Sequence, residues 1–132
     1  MKIGLGLSLL LMLSACTASC RSMPMARGSH EGRITHVVLC WLNNPGNEQD
    51  RRKLIDTSDT FRQIPGVVSV IAGRALPSTR PVVDSSFDVG VVIVFRDADA
   101  MAAYETNPIH VQARNDVLKP LTKKIVIYDI TK

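Results

Sequence analysis

The stretch RITHVVLCWL, residues 33–42, is rich in β-branched and apolar side chains and is followed by the turn-forming residues Asn43 to Gly46. This composition predicts a β-strand. Side chains alternate between the two faces of a strand, so the even positions from Ile34 share one face and the odd positions from Thr35 share the other. Both faces are largely apolar, which indicates a strand that is covered on both sides.

The remainder of the chain predicts three helices and three more strands. The first helix has an apolar stripe and ends at Pro65-Gly66, and Asp97 is the expected N-cap of the second, whose inward residues are Met101, Ala102 and Tyr104. The predicted strands are 67–73, 87–95 and 123–130, the later helices are 97–105 and 108–118, and residues 75–86 form a loop.

The order of elements is β-α-β-β-α-α-β, which is the split βαβ pattern of ferredoxin-like α+β folds. Helices on one face of a four-stranded sheet leave the other face uncovered. Because the strands are apolar on both sides, we expect the uncovered face to meet the same face of a second copy. The sequence therefore predicts a homodimer that associates through the sheet.

The first 15 residues have the composition of a secretory signal. One charge at Lys2 precedes an apolar run over 3–13, which is shorter than the ~20 residues that a membrane span needs. LSAC, residues 13–16, resembles the lipobox of bacterial lipoproteins, and an ordinary signal peptide is the alternative. The lipobox implies that Cys16 is acylated, that residues 16–32 form a tether, and that the protein is anchored in the cell envelope. Thr17 favours the outer membrane in a Gram-negative cell.

Charge and motif spacing argue against several functions. The net charge is +4, and no basic run is accompanied by aromatic residues, which argues against nucleic-acid binding. No His-x-x-His, Glu-x-x-His or Cys-x-x-Cys spacing and no glycine-rich phosphate loop occurs, so neither a metal nor a cofactor is expected. A disulfide between Cys20 and Cys40 is possible but disfavoured, because Cys20 lies in the tether.

Four segments resemble the Dabb family, the stress-responsive dimeric α/β-barrel domain. They are THVVLCWL, IPGVVSVIAGR, DVGVVIVFRDADAMAAYETNPIH and LKPLTKKIVIYDI, and together they span roughly residues 33 to 130. The resemblance implies a ferredoxin-like domain over 33–132 and a dimer whose two sheets close into a barrel.

One branch of that family resembles a plant polyketide cyclase that performs an aldol-type ring closure without a cofactor. Its acid/base pair lies in a Tyr-x-x-His-Pro-x-His motif, and the motif reads YETNPIH here, at residues 104–110. Tyr104 and His110 match the pair, and His36 matches a first-strand histidine of the family. The family usually has a second histidine where this chain has Asn107.

Elementary chemistry supports a site at this motif. Asn107 and Pro108 are favourable first residues of a helix, which places His110 at the third helical position, where the helix dipole disfavours the imidazolium. A neutral His110 can act as a general base, and Tyr104 can donate a hydrogen bond to an enolate oxygen. The alternative is that Tyr104, His110 and His36 are ordinary core residues.

Three functions remain open from the sequence. The favoured one is a lipid-anchored module that binds a small hydrophobic or aromatic metabolite with His36, Tyr104 and His110, in connection with envelope stress. The second is a cofactor-free enzyme, either cyclase-like or a monooxygenase, that uses His110 as base and Tyr104 as donor. The third is a structural barrel whose interior is filled by its own side chains.

Overall fold

A single antiparallel sheet holds the four strands of the part of the chain that the structure describes. The computed structural model describes residues 32–132, so the predicted signal, the tether up to residue 31, Cys16 and Cys20 lie outside the described residues. The sheet has the order β2-β3-β1-β4. Its strands are β1 (Ile34–Leu42), β2 (Val67–Gly73), β3 (Val89–Phe95) and β4 (Thr122–Thr131).

Helices connect the strands on one side of the sheet. They are α1 (Glu48–Asp59), which continues into a 3-10 turn (Thr60–Gln63), α2 (Ala98–Thr106), α3 (Pro108–Ala113) and the short α4 (Lys119–Leu121), with a π-turn (Arg114–Leu118) between α3 and α4. The side chains of Asn47, Asp97 and Asn107 accept hydrogen bonds from backbone N–H groups at the starts of α1, α2 and α3. This element order and topology are those of a ferredoxin-like α+β fold, as the sequence predicted.

The two faces of the sheet differ in burial. On the helix side, residues of β1 and β3 such as Cys40, Leu42, Ile93 and Phe95 are completely buried. The opposite side, called here the bare face, presents apolar residues of all four strands to solvent: Val37, Leu39, Trp41, Ile71, Val92, Val94, Val126, Tyr128 and Ile130. Ile71, Tyr128 and Ile130 are each more than half exposed. The prediction of a one-sided helical layer is confirmed.

Two local predictions differ from the structure. The helix expected over residues 108–118 keeps α-helical geometry only to Ala113, and helical structure then extends beyond the predicted end to Leu121. In α2 the inward residues are Ala100 and Tyr104, whereas Ala102 is exposed. Ala100 faces inward because α2 packs closely against the backbone at Gly66, where only a small side chain fits.

Cys40 is completely buried beneath the helices. Burial raises the pKa of its thiol to about 11, because the charged thiolate is poorly solvated there. The thiol is free among the described residues. None of the helices within residues 32–132 has the length and apolar character needed to cross a membrane.

Candidate ligand cavity

Between the sheet and the helical layer lies a partly open cavity of about 280 Å³, called here the central cavity. It contains all three residues that the sequence singled out, His36, Tyr104 and His110. The remaining lining is mostly apolar and comes from β1, β3, β4 and the helices: Val38, Phe61, Val91, Ile93, Leu118, Ile125 and Ile127, with Ser58, Glu105 and Arg114. A larger depression of about 570 Å³ along α1 is an open surface feature whose lining residues are all polar or charged.

His36 is held by an acid that lies far away in the sequence. The antiparallel register of β1 and β4 places His36 opposite Asp129, and the distance between Nδ1 and the Asp129 carboxylate oxygen is 2.6 Å. An ionised carboxylate only accepts hydrogen bonds, so the Nδ1–H of His36 donates. The other ring nitrogen, Nε2, is therefore the one left to a ligand in the cavity.

Tyr104 and His110 form a stacked pair. Their ring centroids are 4.1 Å apart and the ring planes differ by 26°, so no molecule fits between them. Tyr104 is almost completely buried and also meets Phe95 and Phe61 at 4.9 and 5.5 Å between centroids. The two polar residues consequently form one wall of the cavity and do not face each other across it.

The hydroxyl of Tyr104 carries its proton at any physiological pH. Burial, with a smaller contribution from the nearby Glu105 carboxylate, raises the pKa of Tyr104 well above its usual value of 10.0. Among residues 32–132 the hydroxyl has no hydrogen-bond partner. A ligand oxygen in the cavity would supply one.

His110 is positioned by the start of α3. The Asn107 side chain accepts a hydrogen bond from the N–H of Ile109 at 3.0 Å, and Pro108 occupies the first helical position, as predicted. Nδ1 of His110 lies 3.2 Å from the carbonyl oxygen of Glu105. Because a carbonyl can only accept, Nδ1 is the protonated nitrogen of the neutral ring, and the Nε2 lone pair is free.

The environment favours this neutral form. The pKa of His110 is lowered from 6.5, mainly because burial disfavours the charged imidazolium, with the positive charge of Arg114 acting in the same direction. The direction of the shift agrees with the sequence prediction, and its largest cause is burial. A neutral imidazole with a free lone pair can accept a proton or a ligand hydrogen bond.

Two residues of the site were missed from the sequence. Asp129 gives no local signal, because it is 93 residues from His36 and meets it only through strand pairing. Arg114 had one available signal, since it follows His110 by four residues and such positions share a helix face. In the described chain, no group of three or more His, Cys, Asp or Glu side chains is arranged to hold a metal ion.

Comparison with known structures agrees with this architecture. A Dabb family protein with a ferredoxin-like fold from Mesorhizobium loti is 25% identical, with a TM-score of 0.64 over 77% of this chain and 98% of that one. A dimeric ferredoxin-like protein of unknown function from Thermobifida fusca is 19% identical, with a TM-score of 0.63 over 77% and 92% of the two chains.

One similar structure is that of an enzyme. Hydroxynitrile lyase from Passiflora edulis is 14% identical, with a TM-score of 0.65 over 76% of this chain and 93% of the lyase, a likeness that shows the common fold alone. No curated protein matches the sequence significantly.

The family model of the stress responsive A/B barrel domain, Dabb, matches residues 34–132, which include all the strands and helices that the structure describes and the whole central cavity. Because this match covers most of the chain and agrees with the ferredoxin-like topology, the protein belongs to the Dabb family.

Proposed function

We propose that this protein binds a small aromatic or hydrophobic metabolite in the central cavity. The observation that carries the proposal is the combination of a partly open, mostly apolar space of about 280 Å³ with a few inward polar groups. Ligand sites in proteins commonly have this build, in which apolar walls hold the body of the ligand and a few polar groups orient it.

The aromatic lining favours a ring-containing ligand. Phe61 contacts both Tyr104 and His110 in edge-to-face geometry, at 5.5 and 5.7 Å between ring centroids. An additional ring can extend this cluster by edge-to-face or offset stacking, which contributes ~0.5–1.5 kcal/mol per pair beyond the burial of apolar area. The cavity is also small, so the ligand must be smaller than most drug-sized molecules.

A substitution that fills the cavity tests the binding proposal. Ile127 lies on β4 at the cavity wall and is about half exposed, so Ile127→Trp narrows the space without overpacking the core. We expect the affinity of the full chain for 1-naphthol, measured by calorimetry, to fall about tenfold or more. Leu76→Trp is the matched control, because Leu76 is exposed in the β2–β3 loop. Unchanged binding by Ile127→Trp would refute the proposal.

The cellular setting is the second part of the proposal. We infer that Cys16 is lipidated and anchors the domain to the envelope membrane on the periplasmic side. The ligand in this setting is a metabolite connected with envelope stress. The lipobox-like LSAC at residues 13–16 supports lipidation at Cys16. Cys16→Ser should move the protein from the membrane fraction to the soluble fraction and abolish incorporation of labelled palmitate. Retention of both label and membrane association by the variant would contradict lipidation at Cys16.

We also infer that two copies associate through the bare face. Its exposed apolar residues, including Ile71 and Tyr128, support an interface, because a monomer rarely leaves so continuous an apolar surface in water. The similar structure from Thermobifida fusca is described as dimeric. Joining the same face of two protomers gives a two-fold symmetric assembly in which both central cavities stay outside the interface.

A second candidate function is cofactor-free acid/base catalysis. The free Nε2 of His110 can remove a proton from a carbon next to a carbonyl, while the Tyr104 hydroxyl donates a hydrogen bond to the carbonyl oxygen as it becomes an enolate oxygen. The unpartnered Tyr104 hydroxyl beside a neutral His110 favours this chemistry.

A paired set of variants tests catalysis. With a poly-β-ketone substrate, His110→Gln should abolish ring closure, because glutamine keeps a polar side chain but cannot accept the proton. Tyr104→Phe should lower kcat about 10²-fold or more through loss of one donor to the oxyanion. Turnover that survives His110→Gln would remove His110 as the base, and naphthol binding by a variant without turnover would leave the binding function in place.

A further inference from the structure

The wall of the central cavity contains a guanidinium group that the functions above do not use. Arg114 lines the cavity four residues after His110 and is the first residue of the π-turn. Single π-turns within helices are rare and occur often at functional sites. Here the turn begins at the one cationic lining residue.

The hydrogen-bonding capacity of Arg114 is not satisfied by the protein. Its Nε atom is buried and has no hydrogen-bond partner, and Arg114 is in none of the ion pairs within residues 32–132. Two carboxylates lie near the cavity. Asp129 is held by His36, and Glu105 forms no ion pair with Arg114. A buried donor without an acceptor is costly, so an acceptor that reaches the Arg114 guanidinium from the cavity would make a favourable contact.

We propose that the ligand of the central cavity is a small carboxylate with an aromatic or apolar body, and that Arg114 binds its carboxylate group. This inference rests on the proposed binding function and names its ligand class. The planar guanidinium presents parallel N–H donors that match the two oxygens of a carboxylate, and such paired charge-assisted bonds are about twice as strong as neutral ones.

The other groups of the cavity fit an anion with an apolar body. The positive charge of Arg114 lies near enough to His110 to contribute, after burial, to the lowering of the His110 pKa. The Tyr104 hydroxyl offers a further donor, and the apolar lining accommodates the ring. A phosphate would leave most of its oxygens without donors, because Arg114 is the sole arginine or lysine among the residues that line the cavity.

A matched pair of probes tests the assignment in the full chain. 1-Naphthoate and 1-naphthamide have nearly the same shape, but only the first is an anion. We expect calorimetry to show naphthoate binding at least tenfold tighter than naphthamide. Arg114→Gln should weaken naphthoate about tenfold and leave naphthamide unchanged, and Arg114→Lys should restore part of the loss because it keeps charge without the planar pair of donors.

The control is Arg52→Gln, which removes an exposed arginine of α1 outside the cavity and should change neither affinity. Equal affinities of the two probes for the unmodified protein, or an unchanged preference in Arg114→Gln, would overturn the carboxylate assignment while leaving the binding function intact. Absence of binding by both probes and by 1-naphthol would instead refute the ligand cavity itself, and the assignment with it.

Discussion

Replacement of Gly66 by alanine should destabilise the fold much more than the same replacement at Gly46. Both glycines have positive φ angles, +89° and +79°. Gly66 is the third residue of a turn in which the N–H of Val67 donates to the carbonyl of Ile64 at 3.1 Å, with Pro65 at the second position. This arrangement matches a type II turn, which requires a positive φ at the third position.

The two sites differ in the space available to a side chain. A Cβ atom at Gly46 would meet nothing within 4 Å. Gly46→Ala should therefore lose only about 1 kcal/mol of unfolding free energy, because a positive φ is unfavourable for alanine. A Cβ atom at Gly66 would lie 2.5 Å from Cβ and 3.3 Å from Cα of Ala100. Relief of that overlap must displace α2, and such overpacking adds about 1–3 kcal/mol. We therefore expect a total loss of about 2–4 kcal/mol for Gly66→Ala.

Urea unfolding of both variants and the unmodified protein, at one protein concentration, measures these losses. The displacement of α2 also moves Tyr104, which follows Ala100 by one helical turn, so Gly66→Ala should weaken 1-naphthol binding and Gly46→Ala should not. Equal destabilisation of the two variants would show that the close approach of Gly66 to Ala100 does not limit stability, and would refute the reasoning.

Three further predictions concern the cavity and the bare face. Burial lowers the pKa of His110 in the folded protein below its usual 6.5, so the unfolded chain takes up this proton more readily. The free energy of unfolding, which is highest above pH 6.5, should therefore fall as the pH drops toward the lower pKa of the folded protein. Urea unfolding between about pH 8 and 5 should show a smaller fall in the free energy of unfolding for His110→Gln than for the unmodified protein. Asp129→Ala should release the His36 ring from its Nδ1–H tautomer, which ¹⁵N shifts of the ring detect; unchanged shifts would contradict the assignment. Ile130→Asp should convert the dimer to a monomer in sedimentation, whereas Leu76→Asp, in an exposed loop, should leave the dimer intact.

The strand pattern of the sequence was sufficient to predict the sheet and its covered face. In β1 and β3 the apolar positions on both sides follow the two-residue period, and the structure places His36 on the helix side with Val38 and Cys40 as that period requires. Local signals also sufficed at Asn107 and Pro108, because capping depends only on neighbouring backbone groups.

The meeting of distant residues was not predictable in the same way. Asp129 reaches His36 through the register of β1 and β4, and that register depends on packing over the whole sheet. The stack of Tyr104 on His110 depends on the extended backbone of Asn107 between α2 and α3, which sets the angle between two helices. The residue types at 104–110 predict the two helices but not the angle.

The π-turn was also beyond local sequence reasoning. Pro120 lacks an N–H and its ring crowds the carbonyl four residues earlier, so a regular helix was expected to end before it. The structure continues to Leu121 because the π-turn widens the helix ahead of Pro120, and the Thr122 hydroxyl donates to the carbonyl of Leu118 at 2.6 Å.

The strand β4 belongs to two surfaces at once. Ile125 and Ile127 line the central cavity, while Tyr128 and Ile130, which alternate with them, lie on the bare face. In a protein that binds its ligand on one side of β4 and its second copy on the other, both events contact the same strand. Any factor that a ligand adds to the affinity between protomers, the dimer adds to the affinity for the ligand.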